Sequence, residues 1–371
     1  MYFKKVSLQN FRNYQEESVS FDENINIFMG ENAQGKTNLI ESLYVMSLGK
    51  SFRTSKDAEM ISFGKDFARV RTLVCEPEEE ETEKEIEILY KPEGKIIRAR
   101  GMKLTRSMDL LEEVYIVVFS PEDLRIIKEG PENRRRFMDR ELCQIKPVYY
   151  STLGNYKRVM QQRNALLRSQ KKDEFLMGTY DEALADYGIR LTRERGLFVD
   201  RLQKISREIH RTITEGKETL EIKYDGDFWG KGKDEEKEAE KEEILDRLKK
   251  NREKDYFRGY TSAGPQKDDL SIFVNGTDIR QYGSQGQQRT AALAMKLAEI
   301  SLIRQETRKK AILLLDDVLS ELDEGRQTFL IDAMKEVQVF ITATVIEKEM
   351  LGRLPEGRVF DIRDGHVKRL T

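Results

Sequence analysis

A glycine-rich octapeptide lies between the apolar run Ile25–Met29 and a helical pattern that opens at Asn38. Its spacing fits G-x-x-x-x-G-K-[ST], and its members are Gly30, Glu31, Asn32, Ala33, Gln34, Gly35, Lys36 and Thr37. In such a P-loop the backbone N–H groups and the start of the helix bind phosphate oxygens. Lys36 would neutralise phosphate charge, and the hydroxyl of Thr37 would ligate Mg²⁺. A chance match with both flanks correct is the alternative.

Two carboxylates follow a second apolar run. The run Ile312–Leu315 continues into Asp316 and Asp317. At the end of a strand, Asp316 would hold Mg²⁺ and Asp317 would orient a water molecule that attacks a phosphate. A buried strand that ends in acids is common on its own, so this interpretation depends on the P-loop in the same chain.

A polar loop precedes the helical pattern Ala291–Ile303 and lies about thirty residues before the two aspartates. Its members are Ser284, Gln285, Gly286, Gln287, Gln288, Arg289 and Thr290, and the expected phosphate contacts are Ser284–Gln287. A glycine-containing loop at a helix N-terminus is suited to phosphate contact, because the first N–H groups of a helix lack intrahelical partners. Many helices begin in this way, so the position relative to the aspartates carries the assignment.

The composition excludes several classes of protein. The 371 residues hold 65 basic and 67 acidic side chains, a net charge of −2, so a nucleic-acid partner would need a local basic patch. Two cysteines and two histidines cannot form a disulfide framework or a plausible zinc site. The apolar runs are far shorter than the ~20 residues of a membrane helix, and the first residues lack the apolar core of a signal peptide. We expect a cytoplasmic protein without a membrane partner.

The elements that would position these residues change in type along the chain. Strand-like alternation fills the N-terminal part, and Val114–Phe119 is a further predicted strand. Helical spacing begins at Tyr149 and resumes after a polar break at Ser169–Gly178, so two helices of about 30 Å are expected. An ordinary helical hairpin and an arm that projects from a head both fit this spacing. Thr219–Tyr224 is a predicted strand.

Five ordered motifs resemble the RecF family, within the ABC-type ATPase heads of the SMC and Rad50 group. The motifs span nearly the whole chain, which is too short for a full SMC protein. They are Leu8–Tyr14, Phe119–Leu124, Gly130–Asp139, Ser284–Arg289 and Leu315–Asp323.

The resemblance implies an α/β fold, a Rad50-like ABC-type ATPase head built from both chain ends with an inserted short α-helical, coiled-coil-like domain. We expect the first head lobe at 1–146, the inserted arm at 147–255 and the second head lobe at 256–371; the strand 219–225 could belong to the head. The resemblance also adds Arg12, Asn13, Asn38 and Asp323 to the expected nucleotide site.

The resemblance implies a function as well. Two subunits would face each other, so that Ser284 and Gly286 of one cap the γ-phosphate held by Lys36 of the other. ATP binding would then drive dimerisation on gapped or single-strand/double-strand junction DNA, and slow hydrolysis would reset it. The implied cofactors are ATP and Mg²⁺, and the implied partners are RecO and RecR, which help load RecA onto single strands coated by SSB. A nucleoid-associated location in the cytoplasm follows.

The chain departs from the RecF pattern at one place and from the broader ABC class at two, which RecF relatives share. Gln266 and Lys267 stand where the family usually has His and Arg, which puts a bidentate contact at position 267 in doubt. No Gln follows Val114–Phe119, and Thr342-Ala343-Thr344 occupies the place where many ABC ATPases have a histidine. The last two features weaken the analogy with transporter ATPases more than that with RecF.

A basic patch supplies the expected DNA contacts. Residues 125–168 hold eleven basic and four acidic side chains, a local net charge of +7. For Arg134–Arg136, DNA binding and ion pairs with the head's own carboxylates remain equal alternatives. The acidic run Asp234–Glu243 would have to lie apart from the patch. The predicted phosphate contacts are Lys157, Arg158, Arg163 and Arg168.

Three rival functions are weighed against this interpretation. A transporter ATPase subunit is disfavoured by the short arm and by the absent histidine. Another SMC-like or nuclease-associated head would need long coiled coils or a separate nuclease. A DNA-binding scaffold without catalysis is disfavoured because Lys36, Thr37, Asp316 and Asp317 are all present.

Overall fold

A computed structural model describes residues 1–76, 82–169, 172–228, 237–319, 322–345 and 352–371. The chain forms two compact units, Leu124–Ala294 and a unit made from both chain ends, Met1–Asp123 with Met295–Thr371. Ser320 and Glu321 of the predicted motif Leu315–Asp323 lie outside the described residues, as do the first three residues of the acidic run 234–243.

The strands of the first unit form an antiparallel sheet and a mainly parallel sheet, and the second unit has a small antiparallel sheet. The strands are β1 (Tyr2–Phe11), β2 (Tyr14–Ser20), β3 (Ile25–Met29), β4 (Ala68–Glu76), β5 (Thr82–Lys91), β6 (Gly94–Ala99), β7 (Met102–Lys103), β8 (Ile116–Phe119), β9 (Leu220–Asp225), β10 (Asp269–Val274), β11 (Thr277–Asp278), β12 (Ile312–Asp316), β13 (Val339–Ala343), β14 (Gly357–Arg363) and β15 (His366–Arg369).

The helices are concentrated in the second unit. They are α1 (Lys36–Leu48), α2 (Arg125–Lys128), α3 (Pro131–Ile145), α4 (Pro147–Arg168), α5 (Glu174–Ile213), α6 (Lys237–Lys250), α7 (Arg252–Arg258), α8 (Gln285–Thr307) and α9 (Glu324–Met334).

The antiparallel sheet has the strand order β2-β1-β4-β5-β6-β7. Phe3, Val6 and Leu8 of β1 are buried, as the apolar spacing predicts. Phe3 and Val6 are three positions apart, although residues on one face of a strand are normally an even number apart. The reason is that the pairing register with β4 shifts between Phe3 and Lys5. An extra residue at that point returns the later side chains to the buried face.

The mainly parallel sheet positions the predicted phosphate-binding residues. Its order is β15-β14-β3-β13-β12-β8, and β8, β12 and β13 are buried along their whole length. Apolar strands of this kind need cover on both faces, and α1 packs against β12 and β13. Because β3, β13 and β12 run parallel, the loop after β3 and the aspartates after β12 emerge at the same edge.

The second unit is larger than the predicted arm at 147–255. It begins at Leu124 and ends at Ala294. The physical reason is packing around α5, which α3 and β9 both contact. The strand predicted at Thr219–Tyr224 forms β9 and pairs with β10, so it lies in the second unit rather than in the head's sheets.

The helix α5 is longer than the sequence predicts. It has 40 residues and therefore a length of about 60 Å, twice the expected value. The predicted break Ser169–Gly178 is too wide, because α5 starts at Glu174 after Asp173, whose side chain accepts a hydrogen bond from the N–H of Leu176 at 2.9 Å. Leu184, Leu191 and Phe198 are buried.

The motif that departs from the family at Gln266 and Lys267 lies in a buried polar network of the second unit. Arg195 donates to Asp268 at 2.9 Å and to Asp139 at 2.8 Å. Gln266 accepts a hydrogen bond from the hydroxyl of Tyr156. The exposed ammonium of Lys267 lies 5.5 Å from the ring centre of Tyr260, a cation–π contact in place of a guanidinium pair.

The arginines of α3 divide between structural and surface positions. Arg134 is buried and donates to both carboxylate oxygens of Asp269, with its Nη2 at 2.9 Å. Arg135 donates to the backbone oxygen of Asp268 at 2.8 Å, and Arg136 is exposed and pairs with Glu132. The ion-pair alternative of the sequence analysis is therefore the one the structure supports for Arg134.

One predicted DNA contact is wrong. The side chain of Arg163 has no exposed surface and donates to Asp181 at 2.7 Å and to Asp255 at 2.8 Å. A guanidinium that is enclosed between two carboxylates cannot reach a phosphate backbone. Lys157, Arg158 and Arg168 of the same helix are exposed and stay predictions.

We expect the substitution Arg163→Ala to destabilise the protein by about 3–5 kcal/mol, because it leaves two buried carboxylates without their cation. Urea unfolding of the full chain measures this change, with Arg158→Ala as an exposed control on the same helix. The control should change the free energy of unfolding by less than about 0.5 kcal/mol. Equal unfolding midpoints for the two variants would contradict the structural role of Arg163.

Candidate nucleotide-binding site

The loop between β3 and α1 has a backbone that requires glycine at both ends. Gly30 has a φ of 156° and Gly35 has a φ of 118°. A Cβ atom on Gly30 would lie 2.4 Å from the backbone oxygen of Ile362, and one on Gly35 would lie 2.6 Å from Nδ2 of Asn13. The contact at Gly30 is with backbone, so packing and conformation both require glycine there, whereas the amide of Asn13 can shift and Gly35 is required by its positive φ.

Lys36 folds back over this loop. Its ammonium donates to the backbone oxygen of Gly30 at 2.6 Å and to that of Glu31 at 3.1 Å, and the residue is only 4% exposed. The helix α1 begins at Lys36 without a side-chain cap and without an acid in its first turn. The ammonium and the first N–H groups of α1 therefore form a positive cradle around the loop.

Asp316 binds two hydroxyl groups at the edge of the parallel sheet. Its Oδ1 accepts from Thr37 at 3.0 Å and from Thr342 at 2.7 Å. Burial raises the pKa of Asp316 above its ordinary value, Asp317 raises it further, and the two hydroxyls lower it. Carboxylate and hydroxyl oxygens are the ligands that Mg²⁺ prefers, and Mg²⁺ commonly takes few protein ligands and completes its shell with phosphate and water. Thr37 and Asp316 therefore fit such an ion.

Asp317 has an unusual backbone conformation. Its φ is 53°, in the left-handed region that non-glycine residues seldom adopt, and its N–H donates to Oγ1 of Thr342 at 3.0 Å. The side chain is half-buried. Backbone strain of this kind is common where a carboxylate must be aimed at a reaction centre.

Two asparagines hold the loop from outside. Nδ2 of Asn13 donates to the backbone oxygen of Gln34 at 3.0 Å, and Nδ2 of Asn38 donates to Oδ1 of Asn13 at 2.9 Å. The hydroxyl of Tyr14 donates to the backbone oxygen of Gly35 at 2.9 Å, and burial raises the pKa of Tyr14 well above its ordinary value. Tyr14 thus remains a neutral donor.

Arg12 is anchored beside these residues. Its Nε and Nη2 donate to the two oxygens of the buried Glu41, each at 2.8 Å. A nucleotide contact from Arg12 stays a prediction, as do those from Asn13 and Asn38.

The loop Ser284–Gln287 lies in the second unit and forms a reciprocal helix cap. The N–H of Gln287 donates to Oγ of Ser284 at 3.2 Å, and the N–H of Ser284 donates to Oε1 of Gln287 at 3.0 Å. Nε2 of Gln287 also donates to Glu218 at 2.9 Å. The exposed Ser284 and its neighbours Gln285 and Gly286 are thereby fixed at the start of α8.

Asp323 caps another helix. Its Oδ1 accepts from the N–H of Arg326 at 3.0 Å at the start of α9, and its side chain is exposed. The structure therefore gives this carboxylate a local structural partner, and its contact with a nucleotide stays a prediction.

The first unit brings Lys36, Thr37, Asp316 and Asp317 to one edge of the sheet, as the sequence predicts. Sequence reasoning missed Thr342, which touches both aspartates, because the residue drew attention only as the replacement of a histidine. Its position within the apolar run Val339–Ala343 was the available signal, since a buried hydroxyl needs a hydrogen-bond partner. Tyr14 carried no such signal.

Known proteins are similar to this chain in sequence and in fold. The profile of the RecF/RecN/SMC N-terminal domain family matches residues 2–354. The DNA replication and repair protein RecF of Alkaliphilus oremlandii is 43% identical over 369 residues, which cover 99% of this chain and 100% of that protein. The chain belongs to the RecF family of DNA replication and repair proteins.

Solved structures confirm the predicted α/β head. The recombination mediator protein RecF with ATP has a TM-score of 0.91 at 38% identity and covers 100% of this chain and 98% of its own. An SMC head bound to the C-terminal winged-helix domain of ScpA has a TM-score of 0.57 at 17% identity, with 100% and 97% covered. The second likeness shows that this RecF-family chain has the SMC head fold.

Within the described residues, no helix of this RecF-family chain is long and apolar enough to cross a membrane. The same part of the chain contains no group of three or more His, Cys, Asp or Glu side chains that could hold a metal ion by itself.

We expect Thr342→Val to destabilise the protein by about 1–3 kcal/mol at neutral pH, because the charged Asp316 loses a buried hydrogen bond. The hydroxyl lowers the pKa of Asp316, so its loss raises that pKa further, and the deficit should grow as the pH rises through it. Urea unfolding at neutral and at acidic pH measures this effect, with Thr342→Ser as the control that keeps the hydroxyl. An equal loss of unfolding free energy at both pH values would contradict the expected effect of the hydroxyl on the pKa of Asp316.

Proposed function

We propose that this protein is an ATP-dependent DNA-binding ATPase that acts as a recombination mediator in DNA replication and repair. The hydrogen bond between Thr37 and Asp316 carries the proposal, because it joins the P-loop to the strand-end carboxylates as a Mg²⁺–nucleotide site requires. The similar RecF whose structure holds ATP is a recombination mediator protein of the RecFOR pathway, which supports the same assignment.

Phosphate binding would change the partners of Lys36. Among the described residues, its ammonium donates to two backbone carbonyls of the loop, and a phosphate oxygen offers it a full negative charge. Thr37 and Asp316 would hold Mg²⁺, which would supply further neutralisation of phosphate charge. The N-terminus of α1 would add its N–H groups to the same oxygens.

Hydrolysis would depend on Asp317. Its backbone is fixed by the hydrogen bond to Thr342, and its carboxylate would orient the attacking water. We propose that the activity is weak and stimulated by DNA, so that ATP persists long enough to hold an assembled state.

The loop at Ser284–Gln287 would complete the site of a second subunit. Ser284 and Gly286 stand at the exposed start of a 23-residue helix, where N–H groups favour an anion such as a γ-phosphate. If only the dimer offers both halves of the site, ATP stabilises the dimer by mass action. Loss of the γ-phosphate would then release the two subunits.

DNA contact would use the exposed cations of α4. Lys157, Arg158 and Arg168 remain available, and Lys157 is 57% exposed beside Asp139 at 4.0 Å. Contacts of this kind bind the phosphate backbone without reading sequence. We propose gapped or junction DNA as the target, RecO and RecR as partners in loading RecA, and a nucleoid-associated location in the cytoplasm.

We expect Asp317→Asn to bind ATP normally and to lose at least tenfold in hydrolysis rate, because the amide keeps the shape of the site but lacks the charge that orients water. The dimer formed with ATP should persist longer than that of the wild type. Lys36→Ala is the contrasting variant and should lose ATP binding itself. Single-turnover hydrolysis and equilibrium nucleotide binding separate the two effects. A wild-type hydrolysis rate in Asp317→Asn would exclude Asp317 as the catalytic carboxylate.

Ser284→Arg should bind ATP as a monomer and fail to dimerise, since a bulky side chain would occupy the place of the partner's γ-phosphate contact. Ser284→Ala is the matched control, because it also removes the helix cap, at a cost of about 1 kcal/mol, but adds no bulk. Light scattering with and without ATP measures the dimer. An intact ATP-dependent dimer in Ser284→Arg would overturn the composite site.

A further inference from the structure

The short helix α7 has one buried face and one exposed face. Asp255 has no exposed surface, and its carboxylate accepts from Arg163 at 2.8 Å and from the N–H of Ser262 at 3.0 Å. Arg252, one turn earlier, donates to Asp181 at 2.8 Å. Because side chains in a helix are separated by about 100°, a residue two positions after Asp255 must point away from these ion pairs. That residue is Phe257, which is 93% exposed.

Phe257 borders a cavity between α7 and the end of α4. The cavity is an open depression rather than an enclosed pocket, and its volume is about 530 Å³. Its lining residues are Leu167, Arg168, Ser169, Lys172, Tyr256, Phe257, Arg258 and Gly259.

Three cations surround this cavity, and all three are exposed. Among the described residues, no carboxylate forms an ion pair with Arg168, Lys172 or Arg258. Arg168 is held close to the backbone, since a Cβ atom on Gly259 would lie 2.9 Å from its Cγ. The ammonium of Lys172 lies 5.3 Å from the ring centre of Tyr256.

The nearby acids are engaged elsewhere or stand on the first turn of α7. Glu174 pairs with Arg252 at 2.8 Å, and Asp181 is buried between Arg252 and Arg163. Glu253 is exposed at the start of α7. Among the described residues, the lining of the cavity therefore includes three cations and no carboxylate.

We propose that this cavity, formed by the end of α4 and by α7, binds single-stranded nucleic acid, with an unpaired base stacked on Phe257 and phosphates on Arg168, Lys172 and Arg258. The inference rests on the proposed DNA-binding function and adds to it a binding surface that takes single-stranded nucleic acid. An exposed ring on a rigid helix offers a stacking face to any base, and flanking cations follow the backbone. The interior bases of a duplex cannot stack on this ring, because they are already paired and stacked on one another.

An acidic peptide is the competing occupant. It would satisfy the three cations equally well, but it would gain nothing from a fully exposed aromatic ring beside them. A dependence of binding on the bases therefore distinguishes nucleic acid from an acidic peptide, and the test compares strands with and without bases.

The test measures the fluorescence anisotropy of a labelled oligothymidylate, and of an abasic strand of equal length, with the full-length protein. The wild type should bind oligothymidylate roughly tenfold more tightly than the abasic strand, and Phe257→Ala should lose that preference. Phe175→Ala is the matched control, since Phe175 is an aromatic residue of the same unit that is 87% exposed and lies outside the lining of the cavity. It should keep the preference.

Replacing Arg168, Lys172 and Arg258 together by alanine should lower the affinity for both strands. It should also reduce the dependence of that affinity on salt concentration. Equal affinity of the wild type for the two strands, an unchanged preference in Phe257→Ala, or displacement of the oligothymidylate by polyglutamate as effectively as by unlabelled strand would each overturn the proposal.

ATP-dependent dimerisation and duplex binding are measured in the wild type and in Phe257→Ala. If both persist in the wild type while oligothymidylate shows no base-dependent binding, the cavity proposal fails and the proposed function stands. If the wild type neither dimerises with ATP nor binds duplex DNA, the proposed function itself fails.

Discussion

The hydrogen bond between Thr37 and Asp316 is the contact on which the site depends. It joins residues 279 positions apart, and it requires β3 and β12 to run parallel with β13 between them. The middle strand supplies Thr342, whose hydroxyl binds Asp316 and fixes the backbone of Asp317. A different strand order would separate the phosphate loop from its carboxylates, so the order of the sheet determines the chemistry.

The second unit depends on a different principle, the pairing of buried charges. Arg134, Arg163 and Arg195 are each enclosed with carboxylates from distant parts of the chain. Such pairs contribute little net stability, because both ions lose their hydration, but an unpaired partner would be very costly. The network therefore restricts how α3, α4, α5 and α7 pack, and it directs the remaining cations to the surface.

The buried ion pairs also determine which side of α7 is exposed. Asp255 is held inside by Arg163, and this contact fixes the rotation of α7 about its own axis. Phe257 is exposed as a consequence, beside three cations of a cavity whose described lining residues include no acid. A single exposed aromatic side chain is ordinary at a protein surface, so the significance of Phe257 comes from the cations that line the same cavity.

The sequence by itself determined the P-loop, the strand-end aspartates, the loop at Ser284 and the family, because these features depend on residues that are adjacent in the chain. It could not separate Arg163 from Arg158, although Arg163 continues the seven-residue spacing of the buried Tyr149 and Tyr156. The partners of Arg163 lie 18 and 92 residues away, and only the tertiary structure brings them together. The long α5, the extent of the second unit and the role of Thr342 were decided in the same way, since burial and pairing are properties of packed elements rather than of residue types.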